Sequence, residues 1–216
     1  MIGIIFATDR EAAPFLKRAS QNTTALDLPG GRRAVGARHA ENYQEFPLFY
    51  DLCPAHALVV CICGMGPDRA RAGTEALLEK YGVTSVVNVG AAGAVVDCAT
   101  VGEAFRVATV CLWPAAETMY ICRDDRWQNL PHVVLATVAE PVFDSTRKAE
   151  IARHADIVDM EGAAIAQQCR AKGIPLYMIK GVTDQAGEND RERLLRNLDT
   201  VAEMLADRVW EALEQV

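Results

Sequence analysis

Four short, mainly apolar runs constrain this chain more than any other feature: Ile2 to Ala7, Ala57 to Cys63, Ser85 to Val89 and Pro175 to Val182. They lack the alternating polarity of a strand with one wet face and are too short for buried helices, so they read as strands covered on both sides. Segments with helical spacing separate them. Thr8-Asp9-Arg10-Glu11 opens a helix reaching about Ala19, Pro67 suits the first turn of another, and Ala70, Gly73, Leu77 and Tyr81 follow at helical intervals. Further helices are expected over 144–153 and 160–172. A last one from Asp190 carries Leu194, Leu198, Val201, Leu205 and Val209 as a single apolar stripe. Glu103 to Val110 and His132 to Val138 add strands, Thr118 to Cys122 a short edge strand, and 32–38 and 45–50 modest outer strands, while Ile157 to Asp159 leads into the helix from Met160. The stretch 20–31 reads as a polar connection turning at Pro29-Gly30-Gly31, and Gly90-Ala91-Ala92-Gly93 as a loop. Buried strands alternating with helices give a layered α/β fold with helices on both faces. No repeat, low-complexity tract or linker divides the chain, so 1–216 reads as one domain.

A chain of 216 residues can bury a substantial core by itself. The formal charge of −7 excludes a general nucleic-acid binder, which needs a basic face, but not a local pocket for a small anion. No apolar segment approaches the roughly 20 residues that span a bilayer. The start MIGIIFATDREA has neither a basic leader nor a small-residue cleavage site; the expected location is the cytoplasm. The seven cysteines lack paired C-x-x-C spacing and lie mostly in apolar runs, so no metal site is expected and they read as buried thiols in a reducing compartment.

Ligands of open α/β sheets bind beyond the carboxyl ends of the strands, and several polar features fall there. Glu11 completes a capping box with Thr8 or serves as a functional carboxylate at the tip of the first strand. Gly64-x-Gly66 is either a simple turn or a loop presenting backbone N–H groups to a ribosyl or anionic group. Arg69 stands where a dinucleotide loop would carry its third glycine, and Asn88-Val89-Gly90 replaces the expected acidic residue. Asp159 and Glu161 are helix-capping and dipole-complementing residues or site carboxylates, Met160 is core or ligand contact, and Asp184 is an Asx-turn residue or a site carboxylate. The residues alone lead to a carboxylate-lined cleft.

Taken in order, MIGIIFATDREAAPF, CICGMGPDRARAGTEALLEKYGVTSVVNVGAAGAV, Val101-Gly102-Glu103 and IVDMEGAAIAQQCRAKGIPLYMIKGVTD resemble the 5′-methylthioadenosine/S-adenosylhomocysteine nucleosidases and the wider nucleoside phosphorylase superfamily. M-E-x-x-A-x-A followed by a strand ending in T-D is the most specific part. The resemblance implies a three-layer sandwich in which helices flank a twisted mixed sheet, and an enzyme that hydrolyses the purine–ribose bond of a 5′-substituted adenosine. Asp184 would be the general acid at purine N7, and Glu11 would activate water. Glu161 would hold ribose hydroxyls, Met160 would pack on the sugar, and Pro141 to Phe143 would lie beside the base. Cys63, Gly64, Asp159 and Lys180 complete the expected substrate-binding set. Cys63 stands where these nucleosidases usually have serine. Lys180 stands where arginine is common, keeping the charge but losing the planar fork.

This chemistry is self-consistent. N-glycosidic cleavage builds oxocarbenium character on the sugar and negative charge on the leaving base, which carboxylates near the sugar and a proton donor at N7 stabilise without metal or organic cofactor. The implied partners are a small-molecule nucleoside and a second copy of the chain in a homodimer. Phosphate joins them in one alternative, a phosphorylase; GMGPDRA and VDME also resemble hopanoid-associated phosphorylase-like proteins, which act on adenosylated lipids. Another alternative is a non-catalytic nucleoside-binding protein on the same fold.

Overall fold

The structure, a computed structural model, describes residues 1–21, 26–28, 32–34, 39–43, 46–50, 57–115, 117–123, 125–187 and 191–214. In chain order its first half contains β1 (Ile2–Phe6), α1 (Asp9–Gln21), β2 (Leu26–Leu28), β3 (Arg32–Ala34), β4 (His39–Tyr43), β5 (Phe46–Tyr50), β6 (Leu58–Ile62), α2 (Pro67–Lys80) and β7 (Ser85–Ala94). The second half contains β8 (Ala104–Leu112), β9 (Glu117–Ile121), β10 (His132–Thr137), α3 (Ser145–Ile151), β11 (Ile157–Asp159), α4 (Gly162–Lys172), β12 (Leu176–Gln185) and α5 (Arg191–Glu214).

The four apolar runs become β1, β6, β7 and β12, adjacent and parallel, in a mixed sheet ordered β11-β10-β8-β12-β7-β1-β6-β5-β4 with β9 on β8. Parallel pairing brings the carboxyl ends of these four strands to one edge. β11 pairs in parallel with β10 and also antiparallel with the end of β7, so this part of the sheet curls back on itself. Helices cover both faces. α1 and α5 pack with Ile4, Phe6, Val60, Val87 and Ile179. α2 and α4 pack on the opposite face, with Ile5, Cys61, Val86 and Met178. Among the described residues no helix is long and apolar enough to cross a membrane.

Several expectations change. Gly90 to Gly93 is not a loop: β7 runs through it to Ala94, because β12 pairs with it from Lys180 through Gln185 and β11 pairs with Gly93 and Ala94. The polar stretch before Arg32 contains β2, which forms an antiparallel hairpin with β3, and β4 is a further strand the sequence did not signal. The outer strand expected over 32–38 is described only at Arg32–Ala34. The helix expected from Met160 begins at Gly162. Cys61, Cys63, Cys111, Cys122 and Cys169 are buried thiols, but Cys98 is exposed; Cys53 lies outside the described residues.

Candidate active site

A cavity of about 290 Å³ opens at the shared edge of the parallel strands. Glu11, Asp159, Glu161 and Asp184 all line it, with Met160 and Phe143. Four carboxylates separated by up to 173 positions in the chain thus converge on one space. Among the described residues, no lysine, arginine or histidine lines it. Apart from Thr8 and Thr183 the remaining wall is mainly apolar, including Val138, Val142, Leu194 and Leu198, with Met65 and Phe143 exposed at the rim.

Glu11 forms the capping box and also lines the cavity. Its Oε2 accepts from the Thr8 N–H at 2.9 Å and the Thr8 hydroxyl at 2.8 Å, and Thr8 Oγ1 accepts the Glu11 N–H at 3.3 Å: a reciprocal capping box. Its Oε1 accepts the Ala91 N–H at 2.9 Å. An ionised carboxylate offers about four acceptor positions, so three fixed donors leave about one for a molecule in the cavity. Gly90 makes this approach feasible, since a Cβ there would lie 2.9 Å from Glu11 Oε1.

Glu161 occupies the N-cap position of α4 without capping it. Instead its Oε1 accepts the Gly66 N–H at 2.6 Å and its Oε2 the Met160 N–H at 3.3 Å. Gly66 presents that N–H from a backbone with φ of 94°, a conformation glycine adopts without steric cost. The turn after β6 therefore binds a carboxylate of its own chain. Burial first, and then the charge of Asp159, raises the Glu161 carboxyl from its ordinary 4.5 to about 7, against the pull of Lys180 and the Gly66 N–H.

Asp159 caps α4: both its oxygens accept the Gly162 N–H, at 3.1 and 2.9 Å, while the Thr137 hydroxyl donates to Oδ1 at 2.7 Å. Its Oδ2 lies 2.8 Å from Lys180 Nζ in an ion pair with both side chains almost wholly buried. Burial works against the Lys180 charge, but Asp159, Glu161 and Glu11 outweigh it and hold the ammonium above its usual range. Lys180 therefore stands behind the cavity wall, close to two of the carboxylates that form it.

Asp184 is half-buried at the end of β12, and the Thr183 hydroxyl donates to its Oδ1 at 2.8 Å. Three residues of the expected set do not line the cavity: Cys63, Gly64 and Lys180. Cys63 is buried with its thiol on the Gly64 carbonyl, and burial pushes that thiol well above its usual range. Gly64 turns the chain at φ 87° under the Arg69 side chain. Arg10, the earliest arginine, faces away and pairs with Asp199 of α5 at 2.6 Å.

Sequence reasoning missed Thr137, Thr183, Leu194 and Leu198. The last two are the first members of the α5 stripe, whose later members Val201, Leu205 and Val209 enter the core. Only the position of the cavity separates the two uses of one stripe. Thr183 had a signal, as the residue beside Asp184.

A model of the phosphorylase superfamily matches residues 1–112 and 114–214. An aminodeoxyfutalosine nucleosidase of Campylobacter jejuni is 23% identical over 214 residues, covering 87% of this chain and 86% of the relative. A 5′-methylthioadenosine/S-adenosylhomocysteine nucleosidase of Shewanella sp. is 26% identical over 217 residues, covering 87% and 85%. The solved structure of the Helicobacter pylori enzyme of the latter name, with butyl-thio-DADMe-Immucillin-A, superposes at a TM-score of 0.82 with 17% identity, over 100% of this chain and 98% of that one. That likeness shows a common fold.

Proposed function

The chain belongs to the phosphorylase superfamily, and on that premise we propose that it is a nucleosidase hydrolysing the N-glycosidic bond of a 5′-substituted adenosine. The observation that carries this reading is the convergence of Glu11, Glu161 and Asp184 on one cavity. Asp184 protonates N7 of the departing purine. Glu11 uses its remaining acceptor position to orient and deprotonate the attacking water. Glu161, fixed by the Gly66 and Met160 N–H groups, accepts from ribose hydroxyls as positive charge grows on the sugar. Met160 packs against the sugar, and the Pro141–Phe143 wall lies beside the base. A positioned acid or base contributes about 10²–10⁴-fold each.

Water rather than phosphate is the acceptor in this reading. A phosphate dianion in a site lined by four carboxylates and, among the described residues, by no cationic side chain would be repelled. Arg10, the arginine available near β1, is engaged by Asp199 outside the cavity. The relatives are named for methylthioadenosine, adenosylhomocysteine and aminodeoxyfutalosine, which supports a 5′-substituted adenosine as the substrate class.

Chromatography of base release from methylthioadenosine, adenosylhomocysteine, adenosine and inosine, with and without phosphate, tests the proposal. The expected result is adenine from a 5′-substituted adenosine at a rate indifferent to phosphate, falling at least about 10²-fold in Asp184→Asn. Strict dependence on phosphate would replace hydrolysis by phosphorolysis. Nucleoside binding without base release from any of the four would leave only a binding protein.

A further inference from the structure

The ladder between β12 and β7 shifts register at one place: Val182 pairs with Ala92, and the next partner of β7, Gly93, faces Asp184. Thr183 is thus the extra residue of a β-bulge, a feature that bends a strand and re-aims its side chains. Its backbone carbonyl is displaced from the ladder, yet the residue is only 2% exposed, so that carbonyl requires a partner within the protein. The partner is Asn197 of α5, whose Nδ2 donates to it at 2.7 Å. The Thr183 hydroxyl holds Asp184 Oδ1 at 2.8 Å, while Asp184 Oδ2 lies 3.3 Å from where a Cβ on Gly93 would stand. Leu194 and Leu198, on either side of Asn197 along α5, line the cavity. The first turns of α5 therefore both wall the cavity and fix the strand end that carries Asp184.

We infer that Asn197 is a positioning residue: it holds the Thr183 bulge and thereby sets the direction in which Asp184 presents its carboxyl to the cavity. The inference rests on the hydrolase reading above, with Asp184 as the acid. Without the amide, the Thr183 carbonyl turns toward another donor, the bulge relaxes, and the Thr183 hydroxyl no longer meets Oδ1 in the same place. Substrate contacts through Glu161 and the apolar wall persist. The loss should therefore appear in the chemical step and not in binding.

The test is adenine release from methylthioadenosine by Asn197→Ala and by Asn197→Asp, which is isosteric but lacks the donor and serves if the alanine variant does not fold. The expected outcome is a kcat lower by about 10–100-fold with KM within about threefold, the effect of misplacing a catalytic group by about 1 Å. Asn197→Gln, which keeps the amide donor, should recover part of the loss. In an Asp184→Asn background Asn197→Ala should add nothing, because the group it positions is gone. Arg18→Ala, which breaks ion pairs between α1 and α5 outside the cavity, is the control for loosening α5 and should leave kcat unchanged. A rise in KM alone, equal losses from Arg18→Ala, or full additivity with Asp184→Asn would overturn the inference while leaving the hydrolase reading intact. A wild type that releases no base overturns both.

Discussion

On the face covered by α1 and α5, the sheet presents Ile4, Phe6, Val60, Val87 and Ile179 to Phe15, Leu16, Leu205 and Val209. Phe15 stacks on Trp210 with ring centroids 4.9 Å apart. Apart from Glu11 at the cavity, the ion pairs of this side lie outside, as Arg10–Asp199, Arg18–Glu203 and Arg18–Asp207. On the face covered by α2 and α4, the contact is made largely by small side chains: Ala70, Ala76, Ala163, Ala166, Cys61, Cys63 and Cys169. There the charges are inside. Lys180 points to this face, since it alternates with Ile179 and Gly181, and Asp159 and Glu161 are buried with it. Among the described residues, Asn88 Oδ1 on the same face is the one buried side-chain polar atom with no hydrogen-bond partner. A buried ion pair seldom stabilises a fold more than apolar side chains of equal volume. The inner charges are therefore accounted for by the cavity they back, and the opposite face by cohesion.

The largest test of this contrast sets one deletion on each face against the other. Lys180→Met strands Asp159 as an uncompensated buried charge and should cost about 3–5 kcal/mol. Asp159→Asn added to it should restore part of that stability but no activity. Leu205→Ala, on the apolar face and 2% exposed, should cost about 3 kcal/mol while the folded enzyme keeps its kcat. Denaturant unfolding and base release on the same samples separate the two. If Lys180→Met retained wild-type turnover below its unfolding transition, the division of labour between the faces would fail.

Glu161 gives the next effect, with an unusual sign. Its folded carboxyl is raised to about 7 from 4.5, so between those values the unfolded chain releases a proton that the folded one keeps. Stability from this group is therefore complete below about pH 4.5 and declines as pH rises to about 7, then levels off. Glu161→Gln should thus abolish most base release yet stabilise the protein at pH 8, by on the order of 1–3 kcal/mol, less the strength lost in the Gly66 hydrogen bond. At pH 4.5 the gain should vanish. Thermal unfolding of both proteins at the two pH values measures it, and a variant less stable than wild type at pH 8 would mean that Glu161 is ionised at little cost.

The layered fold was legible because its four buried strands are local and apolar. The extension of β7 through Gly90 to Ala94 was not, because glycine and alanine carry little strand propensity and the pairing partners lie at 157–158 and 180–185. At the site, residue type carried Glu11, Glu161 and Asp184, but not their state. Thr8-x-x-Glu11 reads as a cap or as a functional carboxylate, and in the structure one oxygen of the side chain serves the cap while the other meets the Ala91 N–H at the cavity. Lys180 read only as a charge standing where arginine is common, and its buried partner, Asp159, read as a helix cap or a site carboxylate; it caps α4 and pairs with the lysine. Asn197 gave no signal, because its hydrogen bond exists only where a bulge displaces the Thr183 carbonyl.

The smallest expected effect belongs to the outer charges, and its smallness is what the contrast requires. Arg18 Nε and Nη2 converge on Asp207 Oδ1 at 2.8 and 2.7 Å, and Nη1 reaches Glu203 Oε2 at 2.8 Å. The geometry is good, but both carboxylates are more than half exposed, at 53% and 58%. Water competes for the same oxygens, and ordering three long side chains costs entropy. Arg18→Ala should therefore lower stability by only about 0.5–1 kcal/mol, a shift of about 1–4 °C in Tm for a chain of this size. Most of the difference should disappear in 1 M NaCl, where the screening length falls to about 3 Å. The Lys180–Asp159 pair, shielded from salt by burial, should show no such dependence. A loss above about 2 kcal/mol in Arg18→Ala, unaffected by salt, would mean that α5 is held by its charges as much as by Leu205 and Trp210, and that the two faces differ in where their charges lie but not in what those charges do.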